Sequence, residues 1–313
     1  MSVGDNIKKR RYELRMSQQE LADAMGYKTR STIAKIESGE NDVSQKKLQH
    51  FARVLDTTVE ALISGYRGSK MEELPLTELE SGRGRIGVII LAGGKTGKNQ
   101  QSIPSQFINI HGKPILVYSM EAYQAHPAVD DIYVVCLKGW ENIVRAYAKQ
   151  FGITKLRGLV PGGSSGVASL KNGLDYIKKL YGPDDLVLVQ ESTRPMVTVE
   201  TISRLLQASA EQGSGTICHS MRDYVQFSLE MGEAEYLDRN AVIALQSPEA
   251  HRFGLMQKVF ESAKAQGHPL TESCFTMLLC HLGYKINFVE SDVNNIKVTR
   301  EEDLTVFSAL VKP

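Results

Sequence analysis

The sequence predicts two domains of different class. An all-α domain occupies residues 1–66, and an α/β domain with a mainly parallel sheet occupies residues 85–313. Three observations carry this. Up to residue 62, apolar residues recur at spacings of three, four and seven, the period of short amphipathic helices. A polar stretch at 67–84, RGSKMEELPLTELESGRG, then interrupts the pattern and reads as a linker. Beyond it, apolar runs alternate with amphipathic helix patterns, as buried parallel strands and their crossover helices do.

In the first domain, Ile7 and Leu14 fit a first helix, Leu21, Ala22 and Met25 a second, and Ile33 and Ile36 a third. Leu48, Phe51, Ala52 and Leu55 fit a fourth, and Val59 and Leu62 a last. Helices this short are marginal alone, so they must pack on one another. Ser17-Gln18-Gln19-Glu20 is a capping box, Gly26 and Gly39 are helix stops, and Thr29 is an N-cap candidate for RSTIAKIESG. In the second domain the strand candidates are IGVIILAGG from residue 86, IYVVCL (132–137), LVLVQ (186–190), GTICHS (215–220) and INFVES (286–291). PILVYSMEAYQAH and ETISRLLQASAEQ read as helices between them.

Net charge is +1, and residues 1–66 carry 11 Lys+Arg against 9 Asp+Glu, so nucleic-acid binding has to be argued from placement and not from total charge. The four cysteines are scattered without a C-x-x-C pair, which speaks for reduced thiols in a cytoplasmic protein. The seven histidines show no ligand spacing and are assigned no chemistry. No apolar N-terminal run suggests a signal peptide, and no apolar stretch is long enough to suggest a membrane span.

The run SQQELADAMGYKTRSTIAKIESGEN, continued by LQHFARVLDTTVEAL, resembles the Cro/repressor-type (xenobiotic-response-element) helix-turn-helix family. The turn GYKT is one residue longer than the commonest form. The resemblance implies binding to double-stranded DNA with residues 30–38 as recognition helix. Arg30, Ser31 and Lys35 would then face base edges, while Gln18, Thr29 and Thr32 would sit against phosphates. The alternative is a helical bundle for protein contacts, with Arg30 and Lys35 as solvated charges.

LAGGKTGKN (91–99) is neither a Walker A loop nor G-x-G-x-x-G. Together with GKPILVYSMEAYQAHP, PGGSSGVASLKNGL, VQESTRPMV, LDRNAVIALQSPEAHR and NNIKVTREEDL, it resembles the cytidylyltransferases that act on 2-C-methyl-D-erythritol 4-phosphate or ribitol 5-phosphate. The resemblance spans 86–313 and implies an α/β nucleotidyltransferase-like fold that takes CTP with Mg²⁺. It implies a nucleotide site at Ala92, Gly93, Gly94, Gly162, Gly163 and Ser169. Lys98, Lys297 and Arg239 would be the catalytic cations, Glu191 the candidate metal ligand and Arg194 the arginine of an A-R-P turn. The bland readings are surface lysines, a salt-bridging arginine and a solvated strand-end carboxylate.

The same comparison exposes departures. Ser105 stands where the family has a phosphate-binding lysine, Gly166 where it has an arginine, and Asn294 where it has a metal-binding aspartate. Tyr224 replaces a threonine near the alditol phosphate. These losses favour a transcription regulator whose second domain senses a nucleotide or alditol phosphate. The rivals are a working cytidylyltransferase with a DNA-binding appendage and a ligand-free dimerisation scaffold. A homodimer is expected, because helix-turn-helix units dock in pairs and the resembling enzymes pair through an arm corresponding to RDYVQFSLEMGEAEYLDRN.

Overall fold

The computed structural model describes residues 2–41, 43–57, 59–64, 84–94, 103–230, 233–291 and 294–311. The expected linker at 67–84 therefore falls outside the described residues except for Gly84. Among the described residues no helix is long and apolar enough to cross a membrane.

Five short helices open the chain: α1 (Val3–Glu13), α2 (Gln18–Ala24), α3 (Arg30–Glu37), α4 (Gln45–Val54) and α5 (Val59–Ser64). Ser17 and Glu20 form the expected reciprocal cap of α2. Gly26 and Gly39 adopt φ of +74° and +79° after α2 and α3, the left-handed turn that glycine supplies without strain. Thr29 is the N-cap of α3, but its hydroxyl lies 2.6 Å from the Ser31 hydroxyl instead of capping a backbone amide.

Leu14 departs from expectation. It caps α1 and is 36% exposed, whereas Gly4, Asn6, Ile7 and Arg11 form the buried face. The helix ends before Leu14 can turn inward, and Arg11 takes the place because Glu37 of α3 neutralises it there. The Arg11 guanidinium donates to both Glu37 carboxylate oxygens at 2.7 and 2.9 Å, and to the Met16 carbonyl at 2.7 Å. Asn6 donates to the carbonyls of Leu62 and Ile63, satisfying acceptors that the end of α5 leaves open.

The second domain runs β1 (Ile86–Ala92), a 3₁₀ turn (Ser105–Phe107), β2 (Asn109–Ile110), β3 (Lys113–Pro114), α6 (Ile115–Ala125), β4 (Asp131–Cys136), α7 (Glu141–Gln150), β5 (Leu156–Pro161) and α8 (Gly166–Ile177). It continues through β6 (Leu186–Glu191), α9 (Val199–Gln212), β7 (Ser214–Ser220), β8 (Gln226–Glu230), β9 (Glu233–Leu237), β10 (Ile243–Arg252), α10 (Phe253–Ala265), α11 (Phe275–His281), β11 (Phe288–Glu290) and α12 (Glu301–Leu310). The main sheet has the order β11-β7-β10-β6-β1-β4-β5, parallel except for β10. β8 and β9 form a separate antiparallel hairpin.

The two-residue period of each strand sorts its side chains between two cores. Val88, Ile90 and Ala92 of β1, with Ile132 and Val134 of β4, pack beneath α6, α7 and α9. Ile89, Tyr133 and Val135 face α8, α10 and α11 on the other side. Two strands of the main sheet lie outside the expected set, as do the short β2, β3, β8 and β9. β5 carries Arg157, which pairs with the buried Asp131, and β10 carries buried Glu249 and His251. The expected strand at 286–291 shortens to three residues.

Helix α5 packs against α7. Leu62 and Ile63 are buried, and α7 buries Ile143, Val144, Ala146, Tyr147 and Ala148, more of its circumference than a helix lying on a sheet alone would.

Candidate functional site

A cavity of about 630 Å³ opens at the carboxyl ends of β1 and β6, beside the N-terminus of α8. In open α/β sheets this edge is where ligands bind, and exposed amides at a helix start favour anions. Its walls are two glycine turns. β1 runs into Gly93-Gly94, and the Gln106 amide pins that turn by donating to the carbonyls of Ala92 at 2.8 Å and Gly94 at 3.1 Å. β5 runs into Gly162-Gly163, whose Gly163 amide donates to Ser169 Oγ at 3.0 Å. A Cβ on Gly93 would lie 3.3 Å from Gly162 Cα, so the turns meet backbone to backbone. Ser165 caps α8, accepting from the Ala168 amide at 2.9 Å and donating to the Leu270 carbonyl at 2.6 Å.

The opposite wall is charged. Lys297 Nζ pairs with Glu191, and Arg194 Nε holds the other Glu191 oxygen at 2.9 Å. Arg194 also donates to the Asn295 carbonyl at 2.8 Å. Buried Asn295 donates to the Ser247 carbonyl at 2.8 Å, and the Val298 amide bonds the Thr193 carbonyl at 2.7 Å. These bonds lace the segment that carries Lys297 across the ends of β6 and β10.

Of the residues expected at the nucleotide site, Gly93, Gly94, Gly163 and Ser169 line this one cavity, joined by the metal candidate Glu191 and the catalytic candidate Lys297. Ala92 and Gly162 sit one residue outside it and shape the turns. Lys98, with the extra cation Lys95, lies outside the described residues. Arg239 does not join the cluster: it is exposed after β9 and donates to the Arg222 carbonyl at 3.3 Å. Nor is Glu191 a free strand-end carboxylate, since two cations hold it.

Two departures from the family pattern gain a physical setting. Ser105 lines the cavity and is 4% exposed. Gly166 lines it too, and a Cβ there would lie 1.9 Å from the Ser273 carbonyl oxygen, so the position has no room for a side chain. Ser273 itself lines the cavity and was missed from the sequence, where ESCF carries no motif. Its position is fixed from behind by Glu249. That buried carboxylate accepts the amides of Phe275 and Thr276, at 2.9 and 2.8 Å, and the Thr276 hydroxyl.

The nucleic-acid candidates cluster on the N-terminal helices. Arg30, Ser31 and Lys35 are exposed on α3, while Ile33, Ile36 and Glu37 of the same helix are buried. Thr29 and Thr32 stand at its start. The Gln18 amide donates to Glu37 Oε2 at 2.9 Å, tying the start of α2 to α3. If Arg30 reads a base, Arg30→Ala costs about 1–3 kcal/mol of DNA affinity and relaxes preference at one position. A binding selection on random duplexes checks this, and unchanged preference removes Arg30 from the interface.

Comparison with known proteins agrees with both halves. The family model for 2-C-methyl-D-erythritol 4-phosphate cytidylyltransferase matches residues 86–312, and a helix-turn-helix family model matches residues 7–62. Ribitol-5-phosphate cytidylyltransferase of Lacticaseibacillus paracasei is 28% identical over 229 residues, covering 72% of this chain and 98% of its own. That of Vibrio parahaemolyticus is 29% identical, covering 71% and 94%. Among solved structures, 4-diphosphocytidyl-2C-methyl-D-erythritol synthase of Anaerococcus prevotii superposes with a TM-score of 0.62 at 20% identity, covering 72% of this chain and 97% of its own. The Thermus thermophilus 2-C-methyl-D-erythritol 4-phosphate cytidylyltransferase gives 0.57 at 24%, covering 72% and 98%. At those identities the structures speak for the fold.

Proposed function

Because the chain belongs to the 2-C-methyl-D-erythritol 4-phosphate cytidylyltransferase family through residues 86–312 and carries a Cro-type helix-turn-helix at 7–62, we propose that it is a DNA-binding transcription regulator. Its cytidylyltransferase-like cavity would hold CTP or an alditol phosphate as a signal. The observation that carries this is the altered phosphate wall. Lys297 and Ser169 remain on a glycine-lined cavity, but Ser105 is a buried hydroxyl and Gly166 lines the cavity with its Cβ position taken by the Ser273 carbonyl. Removing one donor aimed at developing charge costs about 2.7–4 kcal/mol in a transition state. Ground-state binding depends less on such donors, so affinity for nucleotide outlives turnover.

The donor set does not fit a Mg²⁺ cradle. Glu191 is the one carboxylate among the described lining residues, and Arg194 and Lys297 already hold it. Asn294 is neutral where a second carboxylate would be needed.

A packed route supports coupling between the domains. Phe107, next to the cavity residues Ser105 and Gln106, stacks on Trp140 at 4.0 Å between ring centroids. Trp140 is the N-cap of α7, and α7 is covered by α5 of the DNA-binding domain. Homodimerisation belongs to the same proposal. The β8–β9 hairpin and the turn before it expose Tyr224, Val225, Phe227 and Tyr236, and Arg239 after it does not line the described cavity. A partner subunit would cover that surface.

A second reading, a working cytidylyltransferase, is favoured by coverage of nearly the whole length of ribitol-5-phosphate cytidylyltransferases. In it, an alditol phosphate oxygen attacks the CTP α-phosphorus and pyrophosphate leaves, with Lys297 opposing the developing charge. CTP affinity and pyrophosphate release, measured on the same full-length sample with ribitol 5-phosphate, separate the readings. The first expects CTP to change the fluorescence of Trp140, the one tryptophan of the chain, to shift DNA affinity by about 5–150-fold, and to yield no steady pyrophosphate. Release at about 1 s⁻¹ or faster establishes the enzyme instead.

A further inference from the structure

We propose that His268, Glu272 and His281 form a binding site for a zinc-class divalent cation, behind the segment that carries Ser273 to the cavity. No sequence spacing announces it, and the expectation that the histidines carry no chemistry gives way here. The fold brings the residues together: His268 and Glu272 follow α10 in one loop, and His281 is the last residue of α11.

The geometry is that of a cation site. His268 Nε2 and His281 Nδ1 converge on the same Glu272 oxygen, at 3.2 and 2.9 Å. One ligand atom from each residue lies within 4.8 Å of the others. Zinc bonds of about 2.0–2.1 Å in a tetrahedron place ligand atoms roughly 3.3 Å apart, so closing the triad around an ion needs movement of about an ångström. Two imidazoles with one carboxylate, leaving a vertex for water, is a donor set suited to zinc.

A second observation points the same way. The Glu272 side chain is only 3% exposed, and its Oε2 has no hydrogen-bond partner among the described residues. The ionic partners described for it are the two histidines. A divalent cation held by the two imidazoles and Glu272 takes up the unpartnered carboxylate oxygen. Coordination through His268 Nε2 moves that ring's proton to Nδ1. This ends the long 3.4 Å contact from the Leu270 amide, a small loss against a metal bond. His281 is half exposed, which leaves an entry path.

The site is bonded to the cavity wall. The Glu272 carbonyl accepts the Val167 amide at the start of α8 at 3.1 Å, and Ser165 holds Leu270. Ordering the triad therefore orders the turn that bears Ser165 and Gly166.

The test uses full-length protein stripped with a chelator and titrated with Zn²⁺ alone, with bound metal counted after dialysis. One zinc per chain is expected. His268→Ala with His281→Ala should weaken binding by more than ~100-fold, since losing even the groups that orient a ligand costs about 10–100-fold. The metal-free melting temperature of that variant checks that it folds, and His281→Ala alone, at a half-exposed position, serves if it does not. Cobalt in place of zinc should give a tetrahedral visible spectrum without a thiolate charge-transfer band. Absence of binding by the unmodified chain, affinity unchanged in the variants, or a thiolate band that places the metal on cysteine such as exposed Cys280 would each overturn the site.

Discussion

Arg11→Ala is expected to destabilise the N-terminal domain by about 3–5 kcal/mol, because it leaves the Glu37 carboxylate buried without its cation. Arg11 and Glu37 are 3% and 5% exposed, and their paired hydrogen bonds join α1 to α3. A domain of some 60 residues has about 3–9 kcal/mol of total stability, so the loss is comparable to the whole. Helix α3 bears the exposed Arg30 and Lys35, and specific DNA binding should disappear with the fold. Hydrogen exchange over residues 3–64 of the full chain gives the stability directly. Replacing both partners by apolar residues, Arg11→Met with Glu37→Leu, should recover most of the loss. A cost below about 1 kcal/mol for the single change, in the range of exposed pairs, would show that the pair does not hold the helices together.

Glu249→Ala should be the most damaging change in the second domain, also at about 3–5 kcal/mol, since it strips two buried amides and a hydroxyl of their acceptor. The effect carries a pH signature. Burial by itself would raise the Glu249 carboxyl, but the His251 imidazole 3.4 Å away, with the Thr276 hydroxyl and the Phe275 amide, outweighs it and holds the group below the ordinary range. A carboxyl depressed in the folded state contributes stability that is complete above its unfolded value of about 4.3 and is lost as pH falls through the lower folded value. Urea unfolding of the full chain at neutral and acidic pH should therefore show a smaller acid loss in Glu249→Gln than in the parent. Equal acid losses would place the linkage elsewhere. Because α11 begins just after Ser273, the same variant should also bind nucleotide more weakly.

What could be read from the sequence, and what could not, follows one physical division. Apolar periodicity exposed β1, β4, β6 and β7 and the α6 and α9 helices, because apolar side chains dominate the buried faces of those elements. It failed wherever a charge is buried by a distant partner. Leu14 fits the apolar spacing and Arg11 does not, yet Arg11 is the buried one because Glu37 of α3 pairs with it. β10 carries Glu249 and His251, so its pattern breaks where the fold buries polar side chains: Glu249 accepts the amides that start α11, and His251 packs edge-on against Phe275. β5 was hidden by Arg157 and by Gly158, where a Cβ would lie 2.5 Å from the Tyr176 ring. The glycine turns, Ser169 and Lys297 were legible because each lies in a short contiguous motif. Ser273 and the His268–Glu272–His281 triad were not, because what makes them a site is the approach of the 266–274 loop to the ends of α8 and α11.

The carbonyl of Ser273 against Gly166 also bears on how freely this cavity can change. A side chain at residue 166 meets backbone, which cannot swing aside as a flexible side chain would. Gly166→Arg is therefore an insertion into occupied space. Any route to an arginine there must first move the 270–274 segment, which Ser165, Val167 and Glu249 anchor by hydrogen bonds. Each of those steps on its own loses contacts without yet gaining the arginine. Residue 166 and the loop are thus coupled: a side chain at 166 has to be accommodated by a shift of the 270–274 backbone.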